Sequence, residues 1–304
     1  MAYKKVLVTK DSDTRQLISD INDALAESNK LVLDMTGVTD FMPPFGVLSV
    51  ILAWDYLCQI SKSNGCNVRY RPPEPKSKVA SYLKTINFFR YVPVSKGYLK
   101  KVSNYPYTVS NYPTDSEEPI NLIQIVRISS DDDIYDAVDE ACGKLKKMIG
   151  VSSEHKGQAR DFAKAFMEVC DNVIGWSGEI ENSGTGYIIA QRFNKRGSDK
   201  HGESTLAVVD WGIGMRGSLR RKYPIESDLE ALRKSLEDGI TCRINGEESG
   251  GRGLPRVAEI VRKWGGYLSI NSGDVWLGVG KGVQHYREGL LSTPGVQLAI
   301  RLPF

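Results

Sequence analysis

The chain has 304 residues, 41% hydrophobic and 25% charged, the proportions of a globular protein with room for two cores of ordinary size. Its 40 basic and 37 acidic residues leave a net charge of only +3 and are interspersed, so composition carries no electrostatic footprint for nucleic acid or an anionic membrane. Five scattered cysteines without a Cys-x-x-Cys pair fit free thiols in a reducing compartment better than a disulfide framework, and three isolated histidines argue against zinc.

No run of about eighteen apolar residues is present to span a bilayer, and the first residues lead only into the short apolar run Val6, Leu7, Val8. The expected location is the cytoplasm, with neither export signal nor membrane anchor.

In chain order, residues 5–8 read as a short strand and 13–27 as an amphipathic helix with Leu17, Ile18, Ile21 and Leu25 on one face. Residues 31–35 form an apolar strand. Beyond Pro43, Pro44, Phe45 and Gly46, residues 47–60 are too long an apolar stretch for a strand and read as a buried helix. Asn64 and Gly65 end it. A strand at 67–71 and a helix at 76–86 complete a small α/β unit over 1–95. Residues 96–119 hold four tyrosines and three prolines, the composition of an ordered connector whose rings rest on a surface.

The second domain, 120–304, opens with a strand at 120–128 and helices at 134–149 and 153–174. Strands at 187–193 and 205–210 suggest an antiparallel hairpin. Helices at 227–237 and 254–264 and strands at 267–271, 274–277 and 296–302 follow. Helices on one face of a mainly antiparallel sheet make an α+β sandwich.

Three motifs in this domain carry chemistry. Glu168 and Asn172, four apart in Glu-Val-Cys-Asp-Asn, leave one helix face together. The carboxylate could orient a water for attack on a phosphoryl group while the amide oxygen holds a magnesium ion, Mg2+. Asp210 ends an apolar strand, where an acceptor can meet the exocyclic amine of adenine, and Gly212 and Gly214 then let the backbone turn close to a flat ring. Gly250, Gly251, Arg252 and Gly253 precede Leu254 and Pro255 at a helix start, a cradle for phosphate oxygens to which Arg252 adds charge. The charged, Ser- and Gly-containing stretch 243–249 has the composition of a mobile lid. Singly, these motifs also fit a solvated helix face, a hairpin turn and a flexible connection.

Together and in this order they resemble the ATP-binding domain shared by gyrase, histidine kinases, MutL and anti-sigma serine kinases, the GHKL family, over about 120–304. The resemblance implies ATP and Mg2+ as cofactors, with Glu168 as the catalytic carboxylate, Asn172 as the metal ligand and Asp210 as the adenine acceptor. It makes Gly212 and Gly214 adenine-loop glycines and Gly250, Gly251 and Gly253 phosphate-loop glycines. Asp171, Ile213, Met215, Arg252 and Leu254, interleaved with these, complete the expected nucleotide-binding set. The family often has Gly-Thr where this chain has Gly295 and Val296, and glycine where it has Pro255.

Residues 1–95 resemble the STAS fold of anti-sigma antagonists through Leu-Val-Leu-Asp-Met-Thr-Gly-Val-Thr-Asp at 31–40, then Gly46, Val47 and Leu48 before a long helix. That family often carries a phosphate-accepting serine just before the helix. Pro43, Pro44 and Phe45 stand there instead, and Ser49, surrounded by apolar residues, reads as a packed helix residue. His155 reads as a surface histidine, too close to the motif helix for a phosphoacceptor hairpin.

The fold class expected is a small STAS-like α/β domain followed by a GHKL (Bergerat-type) α/β sandwich. The expected function is an ATP- and Mg2+-dependent regulatory protein that hydrolyses ATP, with Glu168 activating water and a lid at 239–253 reporting nucleotide state to a protein partner through the STAS-like domain. Two alternatives stay open: a serine/threonine kinase acting on a partner STAS protein, and an ATP sensor without turnover. A homodimer is compatible with all three.

Overall fold

A computed structural model describes residues 3–39, 41–102, 122–129, 156–177, 186–193, 202–241 and 252–303, with a few positions between 132 and 140. The chain separates into two units, Met1–Tyr107 and Thr108–Phe304.

In the first unit, strands β1 (Lys4–Leu7), β2 (Lys30–Asp34) and β3 (Asn67–Arg71) form a parallel sheet in that order. Parallel neighbours need crossovers, and helices α1 (Thr14–Glu27) and α2 (Pro44–Asn64) supply them. Asp13 starts α1 by accepting a hydrogen bond from the Gln16 N–H at 2.9 Å, and Gly65, at φ 66°, ends α2 in the left-handed conformation that glycine tolerates. Residues 46–53 of α2 are all buried, which is why its sequence shows no polar stripe. Among the described residues α2 is the one helix long and apolar enough to cross a membrane, and 61% of its most apolar stretch is buried inside the protein. Ser49 is fully buried and donates to the Phe45 carbonyl at 3.0 Å, a packed helix residue.

Helix α3 (Lys78–Thr85), capped by Ser77, is followed by α4 (Lys96–Lys101), which lies within the segment expected to be connector. Ser95 caps α4, and the Tyr98 hydroxyl donates to the Pro73 carbonyl at 2.7 Å while its ring meets Phe89 edge-on. These contacts tie residues 96–101 to the first unit. Residues 103–119 of the expected connector lie outside the described residues, as does most of the helix expected at 134–149, along with His155.

In the second unit seven strands form an antiparallel sheet in the order β4-β5-β6-β10-β7-β8-β9. They are β4 (Leu122–Ile128), β5 (Gly186–Phe193), β6 (Glu203–Asp210), β7 (Tyr267–Gly273), β8 (Val275–Gly280), β9 (Val283–Arg287) and β10 (Thr293–Pro303). The chain is thus mixed α/β, with one parallel and one antiparallel sheet, compatible with an α+β architecture. Strand β9 had no sequence signal, because every residue in it is exposed and no alternation marks it.

Four described helices, α5 (Lys156–Ser177), α6 (Gly214–Leu219), α7 (Asp228–Lys234) and α8 (Gly253–Lys263), bury their apolar sides in one core with alternate sheet residues. Leu206 and Val208 of β6, Leu268 and Ile270 of β7, and Leu298 and Ile300 of β10 face Phe162, Phe166, Val257 and Val261. Strand periodicity therefore puts Asp210, Ser272 and Val296 on the same helix-covered face.

Helices α5 and α8 run antiparallel. At one end the Lys263 ammonium and the Trp264 indole N–H both donate to Asp161 Oδ2, at 2.6 and 3.0 Å. Burial pushes the Asp161 carboxyl up, but these bonds and the Lys263 charge more than offset it and hold it below the usual value. A depressed value means that the stabilisation is complete above the unfolded carboxyl's range and is lost as pH falls through the folded one. Asp161→Asn should lower unfolding free energy by about 1–2 kcal/mol at pH 7, with the deficit shrinking toward pH ~3; denaturant titrations at both pH values check this, and an equal deficit at both contradicts it.

Candidate functional site

Asp210 ends β6 almost wholly buried, at 6% exposure, opposite Gly186 of β5. Its Oδ1 accepts hydrogen bonds from the backbone N–H groups of Gly212 at 2.7 Å and Val296 at 3.2 Å. The first is a local side-chain turn of the kind Asp favours. The second crosses to β10, and only a glycine at 295 permits it: φ there is 61°, and a Cβ would overlap both the Asp210 carbonyl oxygen and its Oδ1.

Gly214 supplies the turn that follows, at φ 73°. The Met215 N–H donates to Ser272 Oγ at 2.9 Å, and that hydroxyl donates onward to the Gly295 carbonyl at 3.1 Å. Asp210, the Gly214 turn and the start of β10 are thus fixed together. Burial pushes the Asp210 carboxyl up to about 7, although the Gly212 and Val296 bonds pull the other way.

In front of Asp210 lies a cavity enclosing about 310 Å³ of empty space, part of it open to solvent. Its walls are apolar: Val169 and Val173 of α5, Met215 of α6, Leu254 of α8, and Val296 and Leu298 of β10. Two polar side chains reach it, Asp210 from the sheet and Asn172 from α5. Asn172 Nδ2 is buried without a hydrogen-bond partner, a group whose desolvation is uncompensated in this state.

One turn back on α5, Glu168 faces the start of α8. Its Oε1 accepts from Arg256 Nη1 at 2.8 Å. A Cβ on Gly253 would stand 3.0 Å from Glu168 Oε2, a tight contact, and at an ordinary 3.8 Å from Asn172 Nδ2, so the bare backbone at 253 gives Glu168 room. No side chain caps α8 at Arg252, and because Pro255 has no N–H the first-turn backbone donors at this end are those of Gly253 and Leu254.

The structure brings Asn172, Asp210, Met215 and Leu254 into one cavity wall and sets Glu168 beside Gly253. Asp171 lies on the exposed side of α5, away from that wall. Ile213 starts α6, and its side chain lies where a Cβ of Gly217 would stand, 3.0 Å from the Ile213 Cβ. Arg252 faces Asp238 at 3.6 Å, with both side chains 73% exposed. Gly250 and Gly251 lie outside the described residues, as does most of the expected lid.

Sequence reasoning missed Ser272, Arg256 and the structural part played by Gly295. Ser272 and Gly295 act from strands distant in sequence, which no local pattern reveals. Arg256 had one available signal, its place in the first turn after the glycines. Neither a protein-family model nor a curated protein matches this chain.

The raised Asp210 value has a definite sign. The folded protein holds this proton up to about pH 7, whereas an unfolded aspartic acid loses it near 3.8. Burial of Asp210 therefore costs more stability as pH rises from ~4 to ~7, and no more beyond. Asp210→Asn, which keeps an acceptor oxygen, should gain stability relative to the parent across that window by chemical denaturation; a pH-independent difference contradicts the burial. Gly295→Ala should cost about 2–4 kcal/mol through overlap and backbone strain, and a loss under ~0.5 kcal/mol by the same assay would show that the approach to Asp210 is not tight.

Proposed function

We propose that the second unit is an adenine-nucleotide-binding domain of the GHKL type, and that the chain is an ATP- and magnesium-dependent regulatory protein that hydrolyses ATP. The observation that carries this reading is the meeting of an apolar cavity, the buried acceptor Asp210, the partnerless amide of Asn172 and Glu168 beside the Gly253 helix start.

Each group has a role that its surroundings suit. A flat base fits between Val173, Met215, Leu254 and Val296, and its exocyclic N–H donates to Asp210. With the base held by these residues, the phosphates extend toward α8. There the backbone donors and dipole of the first turn favour negative charge. Glu168, on the same side, orients a water against the terminal phosphoryl group.

Magnesium passes a test of fit. The two ends of an asparagine amide are distinguished only by their partners, and a half-turn of Asn172 puts its oxygen where the partnerless nitrogen now lies. That oxygen is the hard donor magnesium prefers, and a bound ion there would offset phosphate charge. Asn172 would hold it beside Glu168 and Gly253.

In the same reading the first unit is a STAS-like interaction domain, and the protein works in the cytoplasm. Three parallel strands crossed by α1 and α2 support a small α/β recognition module. Pro43, Pro44 and Phe45 at the start of α2 put no hydroxyl where that family accepts phosphate, so its part is to bind a protein partner. Whether the whole acts as a homodimer does not alter the pocket.

Glu168→Gln should still bind Mg-ATP but release phosphate at least about a hundredfold more slowly, the scale of a lost general base. Turnover of γ-labelled ATP measures it. Equal phosphate release from variant and parent removes Glu168 from the chemistry, and label passing to a protein instead of water marks a kinase.

A further inference from the structure

Resting on the nucleotide reading of this pocket, we propose that Arg256 tells a triphosphate from a diphosphate: its guanidinium moves from Glu168 to the terminal phosphoryl group, holding that group and releasing Glu168 to act on water.

Arg256 lies in the first turn of α8, three residues beyond Gly253. Its Nη1 donates to Glu168 Oε1 at 2.8 Å, with the two side chains 49% and 24% exposed. Oε1 of the carboxylate is occupied by the guanidinium, while Oε2 faces the space that a side chain on Gly253 would take. An oxygen already accepting from Arg256 is poorly placed to take a proton from water, so this pairing holds the proposed base in check.

A phosphoryl group changes the competition. A guanidinium presents a planar fork of donors that matches phosphate oxygens in pairs, and a terminal phosphate carries more charge than a carboxylate. Half-exposed and on a long side chain, Arg256 can turn toward a group arriving at the α8 start without unpacking the core. The neighbouring cation Arg252 faces Asp238 instead, and Lys263 is committed to Asp161 at the far end of the helix. A nucleotide lacking its terminal phosphate leaves the Arg256–Glu168 pair intact, which makes ADP a ligand but not a trigger.

Calorimetric titration of the full chain with Mg-ADP and with a non-hydrolysable ATP analogue, β,γ-imido-ATP, tests this by binding alone. Arg256→Gln should weaken the analogue about tenfold and change ADP affinity by less than about twofold, with Arg256→Lys recovering part of the difference. Glu168→Gln, which takes the charge from Arg256's partner and so weakens that pairing without removing the arginine, should tighten the analogue relative to ADP. Equal changes for both nucleotides, or none, would make Arg256 only a bridge between α5 and α8 and overturn the proposal while leaving the pocket assignment standing. A parent protein that binds neither nucleotide overturns the assignment itself, and this proposal with it.

Discussion

Helices α5 and α8 lie against one another with their ends fixed by two charged contacts, and the polar groups that these two helices bring to the site depend on that packing. At the far end Asp161 binds Lys263 and Trp264; at the near end Glu168 meets Arg256 and the bare backbone of Gly253. Sliding α8 by one turn along α5 would remove Gly253 from Glu168 and Leu254 from the cavity wall, since one helical turn is about 5.4 Å. The apolar core below, with Phe162, Phe166, Val257 and Val261, makes such a slip costly.

The sheet contributes a second fixed point. Asp210 is held by backbone donors on both sides, one local and one from β10, so its position does not depend on side-chain packing of its own. The contact from position 296 to Asp210 comes from the Val296 backbone N–H, which any residue but proline supplies. Polar character is also graded across the site. The buried acceptor stands at the end where a base would lie, and the helix start with its nearby cation stands where phosphates would lie.

How much of this could be read in the sequence follows from the range of each interaction. Glu168 and Asn172 share a helix face by simple periodicity, and alternation along β6 puts Asp210 beside Val208, so both were legible. Asp171 and Arg252 were drawn in as neighbours of motif residues, yet one step along a helix is about 100° of rotation, and Asp171 ends on the exposed side. Ser272 and Gly295 work through contacts spanning tens of residues of chain, and their chemistry shows only once β7 and β10 are paired. Helix α4 was hidden because a short, tyrosine-containing segment reads like a connector until Tyr98 is seen against Phe89 and Pro73.

The account stands on an adenine ring lying between α5, α6 and β10. Photolabelling with 8-azido-ATP and magnesium, followed by peptide mapping, tests that placement directly. The expected result is saturable labelling of peptides holding residues 169–173, 208–215 or 254, suppressed by excess ATP. Labelling confined to other peptides, or labelling that excess ATP does not suppress, would contradict it.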